Sequence, residues 1–253
     1  MLNNVRVILS HTSHPGNVGA AARAMKTMGL TNLYLVNPRF FPDVQATTMA
    51  VGADDVLENA VVCASLDEAL QGVVMVAGMS ARVRGISQEV LAPREAMPLL
   101  MQHASHPVAL LFGTEMSGLT NEELARCQLM VRIPVNPDYT SLNLAAAVQL
   151  LSYELRLAAD LGDCGAPEGG ALASAEHVES FFQQMEETLT KIEFLHGKHA
   201  TKLMLKLRRL YARARLEADE VNILRGILTL TTKYHGELKQ SVKAKEVENV
   251  QSD

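Results

Sequence analysis

The sequence predicts an α/β protein built on a mainly parallel sheet and followed by a small all-helical extension. Three observations carry that prediction. Strand-like and helix-like patches alternate over residues 1–161, a glycine-rich stretch without apolar period (GDCGAPEGGALASA) interrupts the pattern at 162–175, and strand-like patches stop after it.

Taken in order, VRVILS opens with a strand, GAAARAMKTMGL reads as a helix, NLYLVN as a strand and DVQATTMAVGA as a helix. SLDEALQG, VVMVAG, PREAMPLLMQHA, VALLFG, NEELARCQ and MVRIPV continue the alternation, which closes on the long helix of LNLAAAVQLLSYELRLAADL. Ser65 with Glu68 and Thr120 with Glu123 stand at capping-box spacing, and Gly29 and Gly72 are placed as helix stops. After the linker, Val178, Phe181, Phe182, Met185, Leu189 and Ile192 recur at helical spacing. So do Leu203, Leu207, Leu210 and Tyr211, and then Val221, Leu224, Ile227 and Leu228. Residues 176–253 therefore read as about three helices, with a polar, frayed tail expected after Tyr234.

Composition narrows the class of function. With 253 residues and 48% hydrophobic content the chain suffices for one or two packed domains. Its longest apolar runs, such as 73–77, fall far short of a membrane helix, and MLNNVRVIL has no basic stretch before its apolar residues, so the expected compartment is the cytoplasm. Cys63, Cys127 and Cys164 are odd in number and lack CxxC spacing, which supports neither a disulfide framework nor a zinc knuckle. His11 and His14, His103 and His106, and His196 and His199 share an HxxH spacing without a third ligand, so no metal is expected. Gly16 and Gly19 do not make a GxGxxG fingerprint. The net charge of −5 hides an uneven distribution. Residues 196–215 carry Lys198, Lys202, Lys206, Arg208, Arg209, Arg213 and Arg215 without one acid. That run reads either as an RNA-binding face or as a solvated face whose apolar side, Leu203, Leu207 and Leu210, packs on a dimer partner.

Three stretches stand where a predicted strand ends and a helix begins, the place where open α/β sheets bind ligands: SHPGNVGAAARAMKTMGL at 13–30, LLFGTEMSGLTNEEL at 110–124 and IPVNPDYTSLNLAAAVQLLSYEL at 133–155. Their key residues are Asn17, Gly19 and Arg23; Phe112, Gly113, Glu115, Gly118 and Leu119; and Asn136, Ser141, Leu142 and Asn143. In order and separation they resemble the three motifs of the SPOUT superfamily of RNA methyltransferases, and within it the bacterial TrmJ family, over almost the whole chain. The resemblance implies 2′-O-methylation of the ribose of nucleotide 32 in the tRNA anticodon loop, a trefoil knot near the end of the catalytic domain (1–161), S-adenosylmethionine as donor, and a homodimer with active sites near the subunit interface. It carries cofactor contacts onto Met79, Ser80, Ala81, Gly113, Ile133, Thr140, Ser141 and Leu142. Met79 departs from the small polar residue expected there; main-chain contacts would survive that change. The extension, by the same resemblance, assists dimerisation and tRNA binding.

The residues also make chemical sense by themselves. A ribose hydroxyl is a very weak acid, so methylating it requires a base or a positive environment for the developing alkoxide. Arg23, in the small, apolar run AAARAM, suits that role at the ribose or its phosphate, whereas by itself it is an ordinary surface arginine. Asn17 reads as an N-cap of its helix, and Ser141 as the N-cap of LNLAAAVQLL, where a hydroxyl and free N–H groups could also meet ribose or cofactor. Asn143 and Tyr139 flank Ser141 and could orient substrate, although an aromatic after NPD is also ordinary loop packing. Arg82 and Arg84, in a loop after VVMVAG, suit RNA phosphates or a solvated loop. Gly113 and Gly118 would let main chain approach an adenosine, and Glu115 accepts either from a ligand or from backbone N–H groups. Within the same enzyme class the alternative is another tRNA or rRNA ribose; outside it, an RNA-binding module without chemistry.

Overall fold

The computed structural model describes residues 1–80, 90–160 and 170–250. Its strands are β1 (Val5–Ser10), β2 (Asn32–Val36), β3 (Val61–Cys63), β4 (Met75–Met79), β5 (Val90–Leu91), β6 (Val108–Phe112) and β7 (Leu129–Val131). Between them run helices α1 (Pro15–Thr27), α2 (Val44–Ala50), α3 (Asp54–Glu58), α4 (Leu66–Ala69), α5 (Pro93–Met101) and α6 (Asn121–Leu124), with α7 (Leu144–Asp160) after the last strand. All strand pairs are parallel, in the order β3-β2-β1-β6-β4-β7-β5. The order reverses direction between β1 and β6, so the carboxyl ends of these central strands frame a crevice.

Side-chain alternation along the strands divides the interior in two. Val5, Val7 and Leu9 of β1 join Leu110, Phe112 and Val131 in the larger core, closed by Val18, Ala21, Ala22 and Met25 of α1, Met97 and Leu100 of α5, and Val148 and Leu151 of α7. Ile8, Val76, Ala109, Leu111 and Met130 face the other way, beneath Ala69 of α4 and Leu124 of α6. α1 and α2 approach so closely that a Cβ on Gly19 would fall 1.9 Å from the Ala46 carbonyl oxygen.

Several short elements escape the sequence reading. α3, β3 and β5 hold five, three and two residues, too few to show a period. The predicted helix stops hold: Gly29 and Gly72 take φ of +78° and +75° just beyond α1 and α4. Ser65 accepts from Glu68 N–H, and Thr120 and Glu123 form the full reciprocal capping box.

The extension comprises α8 (Ala175–Lys191), α9 (Ala200–Ala214) and α10 (Ala218–Val250), packed around Phe181, Phe182, Met185, Met204 and Val221. The Tyr211 ring meets Phe181 edge-on at 5.2 Å. The frayed tail expected after Tyr234 is corrected: α10 continues to Val250, because the tail is rich in Lys, Glu and other good helix formers even though it lacks an apolar stripe. Within the predicted linker, Cys164 lies outside the described residues, while Gly170 N–H donates to Glu217 (2.7 Å) and Ala173 N–H to the Leu216 carbonyl (2.9 Å). No described helix is long and apolar enough to cross a membrane.

Candidate active site

The three motif stretches meet at one end of the sheet. A cleft of ≈ 190 Å³ opens where β4, β6 and β7 end, and its lining comes from Met79 and Ser80, from the turn of residues 113–118, and from Thr140, Ser141 and Leu142. Phe112, Leu119 and Leu144 supply apolar wall behind them.

The turn after β6 is closed by its own backbone. Gly118 N–H donates to the Thr114 carbonyl (2.9 Å) and the Thr114 and Ser117 hydroxyls lie 2.8 Å apart. A Cβ on Gly113 would fall 2.2 Å from the Gly118 carbonyl carbon, so glycine at 113 serves the tightness of the turn rather than approach of a ligand. Gly118 differs: at φ +67°, the space where its Cβ would stand is open.

Beside the cleft, Glu115 gathers four donors. Its carboxylate accepts from Ser13 N–H (3.1 Å), Ser13 Oγ (3.0 Å), His14 N–H (3.2 Å) and Asn17 Nδ2 (3.1 Å). Desolvation raises this carboxyl, but the bonds from Asn17 and Ser13 outweigh it and hold it below its ordinary range. Of the two readings of Glu115, the structural acceptor is the one realised. Asn17 in turn accepts at Oδ1 from Asn143 Nδ2 (3.0 Å), and Asn143 Oδ1 accepts from the N–H groups of Ala145 (2.9 Å) and Ala146 (3.3 Å). One hydrogen-bonded chain thus ties the entry of α1, the turn after β6 and the start of α7.

Two cap assignments are corrected by this geometry. Asn17 lies inside α1: His14 occupies the N-cap position and Pro15 the first turn, where a missing N–H costs nothing. The cap of α7 is Asn143, not Ser141, because its carbonyl oxygen reaches the N–H groups two and three residues on. Those N–H groups are therefore committed to the cap, and Ser141 stands exposed on the cleft wall.

The remaining sequence assignments disperse. Ile133 is buried in the larger core and does not line the cleft, since it follows β7 on the side facing α7. Ala81, Arg82 and Arg84 lie outside the described residues. Arg23 is exposed on α1, about 9 Å further along the axis than Asn17, and is not part of the cleft lining. Tyr139 is exposed on the loop before α7. Ser13, Thr114 and Ser117 are parts of the site that the sequence reading missed. Ser13 stands two residues before a helix-opening proline, a signal for a donor at a helix entry.

The basic run resolves by helical phase. Lys202, Lys206, Arg209 and Arg213 of α9 follow i, i+4, i+7, i+11 spacing, which places them on one face. Arg208 is corrected from phosphate-binding cation to internal tie: it makes a bidentate pair with Glu179 of α8 (2.6 and 2.7 Å) and lies 4.5 Å over the Phe182 ring. The side chain of Lys198 lies outside those described.

The cleft chemistry fits a nucleoside bearing an amino-acid tail. Its walls are apolar, its rim offers hydroxyls and main-chain groups, and its one carboxylate, Glu115, is taken up by four internal donors.

Comparison with known proteins gives a consistent picture. The SpoU rRNA Methylase family profile matches residues 4–153, and the profile of the tRNA methyltransferase TrmJ C-terminal domain matches residues 176–242. The chain is 51% identical over 241 residues to the tRNA (cytidine/uridine-2'-O-)-methyltransferase TrmJ of Pectobacterium atrosepticum, covering 94% of this chain and all of that relative. Among solved structures it is similar to TrmJ from Z. mobilis ZM4 (TM-score 0.80, 31% identity, 89% of this chain and 97% of that one). It is likewise similar to a probable methylase family protein from Haemophilus influenzae Rd KW20 (TM-score 0.62, 43% identity, 92% and 98%).

Proposed function

This chain belongs to the SpoU methylase family and carries a TrmJ C-terminal domain, and on that premise we propose that it methylates the ribose 2′-hydroxyl of nucleotide 32, cytidine or uridine, in the tRNA anticodon loop. It is a tRNA 2′-O-methyltransferase. The observation that carries the reading is the junction of Asn17, Glu115 and Asn143 beside the cleft, which brings together residues about a hundred positions apart in sequence.

S-adenosylmethionine, when bound in the cleft, supplies an electrophilic methyl group. Met79, Ser80, Gly113, Thr140, Ser141 and Leu142 would hold it, with apolar side chains against its flat part and main-chain groups at its edges. The chain's own residues do the rest. Arg23, exposed and without an ion-pair partner among the described residues, binds the ribose or its phosphate and stabilises the developing alkoxide. Ser141 presents its hydroxyl to the reacting ribose from the cleft wall. Asn17 and Asn143 fix the loops that aim these groups. Lys202, Lys206, Arg209 and Arg213 take phosphates of the same tRNA, with Arg82 and Arg84 as further phosphate contacts. A homodimer, a trefoil knot near the end of the catalytic domain and cytoplasmic residence belong to the same reading.

The test is transfer of label from S-adenosylmethionine to unmodified total tRNA, with the labelled nucleotide located by nuclease mapping. Label on the ribose of nucleotide 32 is the expected result, and Arg23→Ala should lower the rate by about 10²-fold or more while leaving the melting profile in place. Label on another tRNA position or on rRNA would keep the enzyme class and overturn the position. No transfer to either RNA would overturn the reaction and leave an RNA-binding module.

A further inference from the structure

Leu172 of the extension packs against the larger core, Val74, Ala125 and Gln128 face Phe182, Tyr211 and Leu216 across a small cavity, and polar contacts run along the first turns of α8. At its start, Ala175 N–H donates to the Val73 carbonyl (2.8 Å), and Glu176 accepts from Gly72 N–H (2.9 Å). One turn later Glu179 receives Arg126, which follows α6 in the sheet domain, at 3.1 Å. Arg126 also pairs with Asp67 of α4. The same Glu179 carboxylate holds Arg208 of α9. Arg126, Glu179 and Arg208 are each only 16–17% exposed, so this is a largely desolvated three-member network. Burial raises the Glu179 carboxyl, and its bond to Arg208 with the charge of Arg126 more than reverses that.

The placement of this network is unusual in what it joins. On one side Arg126 follows α6, whose capping box begins at Thr120, immediately after the Leu119 that lines the cleft. On the other side Arg208 belongs to α9, the helix that presents Lys202, Lys206, Arg209 and Arg213 on one face. Next to the tie a crevice of ≈ 480 Å³ opens between the two lobes, walled by Leu66, Asp67, Thr120, Arg126, Leu205 and Arg208. The bonds at Ala175 and Glu176 hold the start of α8 to the sheet domain. Arg126 on Glu179 adds a charged tie one turn further along α8, beside that crevice.

We propose that Arg126 and Glu179 are positioning residues for the tRNA: their pair fixes the distance and angle between the basic face of α9 and the cleft, so that a tRNA held by the extension presents its ribose in register. The inference rests on the tRNA methyltransferase reading above. Neither residue touches substrate. Both act through the orientation of a second binding surface, which sets the effective concentration of the bound tRNA at the cleft. A buried pair of this kind adds little net stability over an apolar substitute, so specificity of orientation is its natural use.

Arg126→Gln is the variant of choice. It cuts the tie between lobes and leaves Glu179 paired with Arg208 inside the extension, so α8 and α9 keep their packing. Glu179→Gln leaves Arg208 without its carboxylate and Arg126 with Asp67 alone, and serves as the harsher second variant, with Glu179→Asp as the conservative rescue. For Arg126→Gln, KM for tRNA should rise by about tenfold, with kcat and S-adenosylmethionine affinity, measured by calorimetry, within twofold of the parent. Glu179→Asp should lie between the two. If KM for tRNA is unchanged in a folded Arg126→Gln protein, or if tRNA and S-adenosylmethionine binding weaken together, the inference is overturned and the pair is merely structural. An inactive parent chain would instead overturn the methyltransferase reading, and the inference with it.

Discussion

Gly19→Ala tests the close packing of α1 against α2. The added Cβ would lie 1.9 Å from the Ala46 carbonyl oxygen, 2.8 Å from its carbonyl carbon and 3.0 Å from its Cα. It falls about 1.5 Å short of ordinary contact. All three neighbours are main chain, so no rotamer change relieves the clash and α2 must move as a unit. Overpacking of this kind costs about 3 kcal/mol at the upper end of its usual range. Alanine returns about 1 kcal/mol as a better helix former than glycine. The difference, about 2 kcal/mol, corresponds to a fall of roughly 4–8 °C in Tm for a chain of this size. Gly16→Ala is the internal control, since its Cβ would meet only the Gln45 and Met49 side chains at 3.5–3.6 Å. Thermal melts followed by circular dichroism should therefore show Gly19→Ala well below the parent and Gly16→Ala at or above it. Equal Tm values for the two variants would refute the close approach of α1 and α2.

Two further outcomes follow from the ionisable groups. The folded Glu115 carboxyl lies below its ordinary value of 4.5, so its bonds contribute stability in full above that pH, and the contribution is lost as pH falls through the folded value. The Tm gap between parent and Glu115→Gln should be widest near neutrality and close as the solution is acidified below pH 4.5; a gap independent of pH would sink the assignment. Burial, with the charge of Glu123, pushes the Cys127 thiol up to about 12 and leaves it inaccessible, so iodoacetamide at pH 8 should not alkylate it in the folded protein. Modification found there by mass spectrometry without denaturant would show that α6 opens.

What the sequence makes legible here is what is local. The apolar patches VRVILS and VALLFG and the Thr120–Glu123 pair are complete within a few residues, and each corresponds to an element or a cap in the structure. The cap of α7 is different. Ser141 and Asn143 both satisfy the local rule, and the choice falls on Asn143, whose side chain bonds Asn17 126 residues away as well as its own helix. Arg208 sits in a run of like residues, and only the position of Glu179 on a neighbouring helix separates it from the outward-facing cations. Phase alone would have found the outward four, since they recur at i, i+4, i+7 and i+11 and Arg208 does not. α10 beyond Tyr234 is the converse case: it has no apolar stripe, and the intrinsic helix propensity of a polar segment is the signal it carries.

The bonds that close on Glu115 span 98 to 102 residues, and the one between Asn143 and Asn17 spans 126. During synthesis, at about 5–20 residues per second, the α1 entry loop would be complete roughly 5–20 s before its acceptor leaves the ribosome. Closing loops of that length carries an entropic cost that the pairing of β1 with β6 helps to offset. A nascent chain stalled before residue 115 would hold the α1 entry loop with its donors open to water. Competence to bind a ligand at the cleft reports that β4, β6 and the start of α7, far apart in sequence, have all come together.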